Sequence, residues 1–434
     1  MTSLNTLTAD DLAGRADIAA APAWLRDRRL DAAKRFSDQA WPNSRTDEFW
    51  RGTRFDRLPV DLDLAAPAGL TVLLPDGASD RVVAIDLAEA AASERWGALV
   101  RTHLGSLTTT GDGSGADEDR TVTASDAAWT DGVFVHVPAE VEVGGQITVR
   151  CHLAAAGTHL PRVLVVLGHH ASATVVIEHT SAEGITSTLV DEVVEAVLED
   201  SAILDLVSLQ EWRGDVDHLS LQKAAVHRGA TLRHLSVTIG GRIVRLRPEV
   251  DLLGQGASCF PLGVYFADAG QHFDLQPTVR HIAARAVSDV LYKGAVQGKA
   301  AHAIFRGNVF VGHDAVGTNT NQTNRTLVLT EGAKADSTPF LEIFCSDVVA
   351  GHGSATGQLD ANHLYYLQAR GIPRAEALKL IVMGFFRDVL DHIDLPDVEA
   401  RTLAHLEREI EVADLDAIRT TMAAPLAIDP DGRG

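Results

Sequence analysis

The stretch Ala202-Ile-Leu-Asp-Leu-Val207, followed by Gly229-Ala230 and Leu235-Ser-Val-Thr-Ile239, contains the pattern that decides the fold. Short runs of aliphatic and β-branched residues alternate with corners made of small residues. The first such corners are Ala173, Ala202, Ala230 and Ala257. They stand 27 to 29 residues apart. Stacked coils of a parallel β-helix require this pattern, because each coil must turn tightly and bury an inward row of aliphatic side chains.

The same alternation extends over residues 131–358, although the spacing changes. The later small corners that we predict are Ala295, Ala315, Ala333 and Gly351, at intervals of 18 to 20 residues. We therefore predict a mainly β protein with a parallel β-helix core over residues 131–358. A β-sandwich is the alternative, because short strands with turns every ~8–12 residues fit that fold too.

Helical patterns precede this β region. Apolar residues recur at helical spacing over residues 23–40, which predicts an amphipathic helix that Pro42 ends. Residues 105–118, rich in glycine, serine and threonine, predict a flexible loop. We expect residues 1–130 to form an N-terminal helical region that includes this loop.

A C-terminal helical region is predicted for residues 359–434. Asp360 is suited to cap the N-terminus of a helix, and Gly371 is suited to the left-handed residue that ends it. Pro373 fits the first turn of a second helix. A third helix, rich in glutamate and arginine, is expected at about residues 397–413. Helices are thus predicted on both sides of the β core.

Composition restricts the partners and the compartment. The chain has 434 residues, a formal net charge of −21 and 46% hydrophobic residues. Phosphate backbones and anionic membrane surfaces repel such a chain, so neither nucleic acid nor a membrane is expected as a partner. The three cysteines, Cys151, Cys259 and Cys345, are widely spaced, which favours a reducing compartment. We see no signal peptide and no apolar span of about 20 residues, and expect a cytoplasmic protein.

Motifs for catalysis are sparse. The sequence contains neither a Gly-x-x-x-x-Gly-Lys-Ser/Thr phosphate loop nor a Gly-x-Ser-x-Gly nucleophile motif. Asp268, His272 and Asp274 lie close together in sequence, and on a β-helix such an acidic pair suggests a polysaccharide lyase or hydrolase. The alternative is a polar turn. Without a clear catalytic constellation, an assembly role is favoured and we expect no enzyme.

His352 differs from the other histidines because small residues surround it, in Ala350-Gly-His-Gly-Ser-Ala-Thr-Gly357. Small neighbours leave the imidazole accessible and allow another backbone to approach. The ring could supply one ligand of a metal site shared across a subunit interface. The alternative is a histidine that hydrogen-bonds within a turn.

Several motifs in this order resemble those of the SufB/SufD family of iron–sulfur cluster assembly proteins. They are Pro42-Asn-Ser-Arg-Thr-Asp-Glu-Phe-Trp50, Gln271-His-Phe-Asp274, Leu291-Tyr-Lys-Gly-Ala295, Phe305-Arg-Gly307, Gln322-Thr-Asn-Arg325, Thr338-Pro-Phe-Leu-Glu-Ile343, His352-Gly-Ser-Ala-Thr-Gly-Gln-Leu-Asp360 and Leu364-Tyr-Tyr-Leu367. The resemblance covers nearly the whole chain. It implies a right-handed parallel β-helix with helical ends and a role in iron–sulfur cluster assembly.

Within that family the chain is most similar to SufD, because Gly353 follows the histidine where SufB proteins carry glutamate. The resemblance implies a non-catalytic scaffold that pairs with SufB and the ATPase SufC in a SufBCD complex, or with a second copy when SufB is absent. An iron–sulfur cluster would be shared with SufB, with His352 as a ligand, and none would be bound by this chain alone. The C-terminal region would contact SufC, with interface residues Tyr365, Tyr366, Arg370, Phe385 and Phe386.

One departure from the family pattern concerns thiols. Many SufD proteins have cysteine two residues before the histidine, where this chain has Ala350. On one regular strand Cys345 and His352, seven residues apart, would point to opposite faces, so we expect Cys345 not to be a ligand. Two alternatives remain: a SufB-like subunit that nucleates the cluster itself, and the polysaccharide enzyme.

Overall fold

The computed structural model describes residues 2–65, 67–78, 80–108, 119–412, 418 and 420–421. The predicted loop at 105–118 lies largely outside these described residues. In the described part, no helix is long and apolar enough to cross a membrane. The core consists of two long sheets that face each other, and helices cover the outer face of each sheet.

The N-terminal region contains six α-helices and two short strands among the residues described. The helices are α1 (Ala9–Ala13), α2 (Ala16–Ala20), α3 (Ala23–Asp38), α4 (Leu87–Ala92), α5 (Gly97–His103) and α6 (Arg120–Ala128). The strands are β1 (Thr71–Leu73) and β2 (Val83–Asp86). Helix α3 confirms the helix predicted at 23–40. Its buried Arg29 donates to the carbonyl oxygens of Ala127 at 3.1 Å and Trp129 at 2.8 Å, which holds α3 against the end of α6.

The β-helix begins at residue 131. Its strands are β3 (Asp131–Val137), β4 (Glu142–Leu153), β5 (Gly157–His159), β6 (Pro161–Leu167), β7 (Ser172–Ser181), β8 (Thr188–Leu198), β9 (Ile203–Trp212), β10 (Val216–Val226), β11 (Thr231–Gly240), β12 (Ile243–Leu252), β13 (Ser258–Ala267), β14 (His272–Leu275), β15 (Thr278–His281), β16 (Val287–Val296), β17 (His302–Phe305), β18 (Asn308–Val311), β19 (Thr318–Val328), β20 (Lys334–Ser337), β21 (Phe340–Ile343) and β22 (Val348–Gly357).

These strands stack in parallel as eight coils. One sheet, which we name the front sheet, has the order β1-β4-β7-β9-β11-β13-β16-β19-β22. The facing back sheet has the order β2-β3-β6-β8-β10-β12-β14-β17-β20, and β15, β18 and β21 continue its later coils. Each coil contributes a back strand and then a front strand. The predicted parallel β-helix is therefore confirmed, and the β-sandwich is not.

The coil length is more regular than the sequence spacing indicated. Thr231 pairs with Ser258, 27 residues later, and Val287 pairs with Asn319, 32 residues later, so the repeat does not shorten along the chain. The corners at Ala173, Ala295 and Gly351 were wrong, because these residues lie inside strands, in β7, β16 and β22. The small residues that continue the series after Ala257 are the fully buried Ala286 and Ala315.

Apolar side chains fill the space between the two sheets in the early coils. Inward residues such as Val135, Val165, Val175 and Val194 are fully buried in one core cluster. The N-terminal helices pack on the outer face of the back sheet, against residues such as Phe134. The C-terminal helices pack on the outer face of the front sheet.

The C-terminal region contains α7 (Ala361–Ala369), α8 (Arg374–Leu390) and α9 (Pro396–Val412), and a short parallel pair, β23 (Leu359–Asp360) with β24 (Thr420–Thr421). The Asp360 carboxylate accepts from the Asn362 N–H at 2.8 Å, which confirms the predicted cap. Gly371 has φ +85° and Pro373 directly precedes α8, as predicted.

Candidate functional site at the open end of the β-helix

The last coil presents uncovered strand edges. In the described part of the chain, β22 pairs only with β19, while β20 and β21 pair only with β17 and β18. A strand at the edge of a sheet offers unpaired N–H and C=O groups, and a partner strand can extend the sheet there. This end of the solenoid is therefore suited to strand-by-strand pairing.

His352 lies in the middle of this last strand and is exposed. It stands opposite Gln322 of β19 in the parallel ladder. Opposed residues in neighbouring strands point to the same face of a sheet. Because Gln322 is fully buried between the sheets, His352 continues an inward row and stands where the interior of the β-helix opens. The accessible imidazole expected from its small neighbours is present.

The interior beneath His352 is polar. On β19 the buried Thr320, Gln322, Asn324 and Thr326 alternate with exposed residues, so all four face inward. The Asn324 amide donates to Ser337 Oγ at 2.9 Å, and Ser354 Oγ donates to the same atom at 2.7 Å. Among the described residues, neither amide atom of Gln322 has a hydrogen-bond partner. A buried amide without partners costs about 1–3 kcal/mol, so this end is not arranged for stability alone.

Exposed apolar side chains surround the open edge. They are Phe340, Ile343, Phe344 and Val349, with Val349 exposed by 70%. All four lie in or beside the last strands of the two sheets. Exposed apolar side chains along edge strands are typical of an interaction surface. Sequence analysis did not single these residues out; the end of the coil repeat was the signal that could have identified them.

Cys345 is close to His352 in sequence but not on the same strand. It lies in the corner between β21 and β22, which belong to different sheets. Its Sγ donates to the Ala315 carbonyl oxygen at 3.6 Å, and the side chain packs beside Val309 and Val311. The single-strand geometry used to set Cys345 apart from His352 was therefore wrong, because the chain turns a corner between them.

The predicted C-terminal interface residues fall into two groups. Tyr365 and Tyr366 on α7 are exposed by 74% and 55%, and the Arg370 guanidinium lies 4.3 Å from the Tyr366 ring centroid. Exposed tyrosine and arginine side chains are typical binding anchors. They form a projecting surface on α7, whose only buried residue is Leu364.

Phe385 and Phe386 on α8 lie closer to the solenoid. Phe385 is half-buried, and the Lys293 Nζ lies 4.7 Å from its ring centroid. Phe386 is fully buried in the cluster between α8 and the front sheet, with Val264 and Phe266. Phe386 therefore has no exposed surface to offer, and its prediction as an interface residue is corrected: it belongs to the core-facing stripe of α8.

The acidic pair suggested for a polysaccharide enzyme is not assembled. Asp274 is fully buried, accepts from Thr53 Oγ at 2.6 Å and from the Gln276 amide at 3.0 Å, and so faces no groove. Asp268 lies in the turn before β14 and accepts from the Ala269 N–H at 2.7 Å. The turn interpretation holds for Asp268, and the two carboxylates do not flank a common cleft.

Fold and site together define a parallel β-helix protein whose last coil is uncovered among the described residues. The sequence model of the SUF system FeS cluster assembly SufBD core domain matches residues 151–385, more than half of the chain. The chain therefore belongs to the SufBD family of iron–sulfur cluster assembly proteins.

Named relatives agree with this membership. An iron-sulfur cluster assembly SufBD family protein of Mycobacterium tuberculosis (strain CDC 1551 / Oshkosh) is 37% identical over 379 residues, which covers 85% of this chain and 89% of the relative. A protein of the same description from Mycobacterium leprae (strain TN) is 38% identical over 63% of this chain and 72% of its own. One from Staphylococcus aureus (strain USA300) is 26% identical over 68% of this chain and 63% of its own.

Proposed function

We propose that this chain is a SufD-type, non-catalytic scaffold subunit of a cytoplasmic SufBCD-type complex. Its open end pairs with a SufB-like subunit, and its C-terminal helices dock an ATPase of the SufC type. The observation that carries the proposal is the position of His352, exposed on an unpaired final strand and in line with the polar interior of the β-helix.

The open edge supports strand pairing as the mode of association. A partner strand beside β22 would continue the front sheet and cover Val349, and one beside β21 would continue the back sheet and cover Phe340. It would also bring partner side chains next to His352, so that a nascent cluster, as cargo, could take one imidazole ligand from this chain. The thiolate ligands would come from the partner, because Cys151 and Cys259 are fully buried and Cys345 lies in a corner of the fold.

The exposed Tyr365, Tyr366 and Arg370 support α7 as part of the docking surface for the SufC-like ATPase. Helices α8 and α9 pack against the front sheet beneath it. Movement of a bound ATPase would therefore reach the sheet that carries His352 through a packed helical layer.

The proposal is tested by co-expression with the SufB-like and SufC-like subunits, followed by purification and by iron and sulfide analysis. A stable complex is expected with the wild type. His352→Ala should leave the complex and its thermal stability intact, because an exposed side chain changes stability by less than about 0.5 kcal/mol, and should lower its cluster content. His152→Ala is the matched control, since His152 is exposed on the first front-sheet strand of the β-helix, β4.

Two results would contradict the proposal. Unchanged iron and sulfide content in His352→Ala would remove the histidine from cluster assembly, and absence of binding to either subunit would remove the scaffold role. Anaerobic reconstitution separates the SufB-like alternative, because a stable cluster on the isolated chain would favour it. A homodimer of the isolated chain that the SufB-like subunit dissociates would agree with pairing through the same edge.

A further inference from the structure

A second group of ligand-type side chains lies inside the β-helix, far along the chain from His352. His179 on β7, Glu192 on β8 and His218 on β10 are all buried, with their side chains no more than 1% exposed. One ligand atom from each lies within 4.8 Å of the other two. The corner between β7 and β8 and the stacking of β8 on β10 bring them together.

The contacts within this triad are short but incomplete. His179 Nε2 is 2.7 Å from Glu192 Oε1, and His218 Nε2 is 3.6 Å from Glu192 Oε2. Within the described part of the chain, neither ring nitrogen of His218 has a hydrogen-bond partner, and His179 Nδ1 has none. Buried polar groups normally have hydrogen-bond partners. Two buried imidazoles that lack partners for three of their four nitrogens, beside one carboxylate, therefore need an explanation.

A metal ion would satisfy this donor set. Two imidazoles and one carboxylate are the ligands of many zinc and non-haem iron sites, where a fourth position stays open. Ligands about 2.1 Å from a tetrahedral ion lie roughly 3.4 Å apart. The separations of 2.7 Å and 3.6 Å bracket that value, so small side-chain shifts would admit an ion.

The surroundings of the triad match those of a metal site. Ser220 Oγ donates to Glu192 Oε2 at 2.8 Å and fixes the carboxylate, as second-layer partners do around metals. The Trp212 ring lies 5.4 Å from His179 and 5.5 Å from His218 and forms an apolar wall. Ile185, in the turn between β7 and β8, packs in one cluster with Trp212 and Cys151 and extends this apolar wall.

We propose that His179, Glu192 and His218 form a buried site for a divalent transition-metal ion of the zinc and ferrous iron class. The site is separate from the open end and does not depend on the proposed role of His352. An ion bound there would link three consecutive coils of the β-helix, through the side chains of His179 on β7, Glu192 on β8 and His218 on β10. It would stabilise the folded chain by an amount that rises with the logarithm of the free ion concentration above the Kd.

The proposal is tested on the full chain, expressed with added Zn²⁺ or, anaerobically, with Fe²⁺, and then dialysed against metal-free buffer. Elemental analysis should find about one retained ion per chain in the wild type. Glu192→Gln and His218→Gln should each lower retention at least about tenfold. The matched control is His234→Gln, a buried histidine on β11 whose Nε2 is 2.6 Å from an amide oxygen, Gln222 Oε1, instead of a carboxylate; it should retain the ion.

Thermal melting gives a second test. The response of the wild-type Tm to Zn²⁺ can be measured even if one of the variants does not fold. Added Zn²⁺ should raise the Tm of metal-free wild type and of His234→Gln, and a chelator should reverse the effect, with no response in Glu192→Gln. A folded wild type that retains no ion after both loadings, and whose Tm ignores Zn²⁺, would overturn the proposal and leave a metal-free ion pair. Equal retention by wild type and Glu192→Gln would overturn it as well.

Discussion

The two ends of the β-helix differ in what covers their outermost strands. At the first coil, β1 pairs antiparallel with β4, and β2 pairs antiparallel with β3. Both sheets are thus capped by strands from the N-terminal region. At the last coil, no described strand covers β20, β21 or β22. Since bare edges invite aggregation unless a partner uses them, the open end is the one available for assembly.

The side chains that face the interior of the β-helix also differ between the two ends. Near the first coil, inward positions are aliphatic, as with Val135 and Val165. On β19, in the coil before the last, they are threonine, asparagine and glutamine, and the exposed His352 follows this row on β22. An aliphatic core serves stability, whereas a polar interior that opens to solvent serves contact with something polar. The first coils of the solenoid therefore serve stability, and the last coils serve recognition.

The largest expected effect is a loss of stability near the closed end of the β-helix, which is the end that β1 and β2 cover. The substitution is at Arg162. Its guanidinium donates to Asp126 at 2.5 Å and Glu195 at 2.8 Å, and all three side chains are buried between α6 and the back sheet. Arg162→Ala leaves the buried Glu195 without its cation and leaves Asp126 with only the longer contacts to Arg28 at 3.5 Å and Arg35 at 3.8 Å, which should lower the free energy of unfolding by about 3–5 kcal/mol. Equilibrium denaturation measures the loss.

The control for that prediction is Arg150→Ala. Arg150 pairs with Glu178 at 2.8 Å but is about half exposed, so the change should cost less than about 1 kcal/mol. Binding of folded Arg162→Ala to the SufB-like subunit should stay unchanged, because the open end is untouched. Equal losses in the two variants would show that the buried ion pairs do not hold the N-terminal helices to the solenoid.

The next largest effect is expected at the open end, where a substitution should weaken partner binding and leave the free energy of unfolding unchanged. Val349→Lys places a charge on an exposed apolar side chain of the edge strand β22, which should weaken binding to the SufB-like subunit about 30-fold, or ~2 kcal/mol. Leu73→Lys is the matched control, since Leu73 is an exposed aliphatic residue on β1 at the closed end. Titration calorimetry compares the two, and similar affinities would argue against pairing through the last coil.

Sequence patterns predicted the β-helix and its helical flanks because corners and caps are local. Ala202, Ala230 and Ala257 each sit at a tight turn, and Asp360 and Gly371 each determine one helix end. The corner predictions failed at Ala173 and again after Ala257, since small residues within strands look like corners in a single sequence. Only the pairing of β13 with β16, and of β16 with β19, identifies Ala286 and Ala315 as the true turns.

The sites were less accessible to sequence analysis, because coil stacking creates them. His179, Glu192 and His218 lie on three strands, and no spacing rule predicts their contact. On β8 and β10 every residue is buried on both faces, so the alternation that separates inward from outward positions is lost. His352 was found because its neighbours are small, a local property, whereas its alignment with Gln322 depends on the register of the last two coils.

The smallest expected effect concerns α9, which packs on the outer face of the front sheet. On α9, His405 Nδ1 is 2.8 Å from Glu211 Oε1 on β9, and Arg401 pairs with the same carboxylate. Burial alone would lower the pKa of His405, but the hydrogen bonds to Glu211 and Glu409 raise it above its ordinary value of 6.5. The stabilisation is therefore complete below pH 6.5 and is lost as the pH rises through the raised pKa.

His405→Gln should remove this pH-dependent part, no more than about 1 kcal/mol, so that its Tm falls below that of the wild type in acid and meets it in alkali. His392→Gln is the control, because exposed His392 contacts the backbone carbonyl of Asp388 at 2.8 Å rather than a carboxylate. A constant Tm difference across pH would assign His405 a packing role only. A difference confined to acid would show that charge holds α9 to the front sheet, and so helps fix α7 and its exposed tyrosines beside the open end.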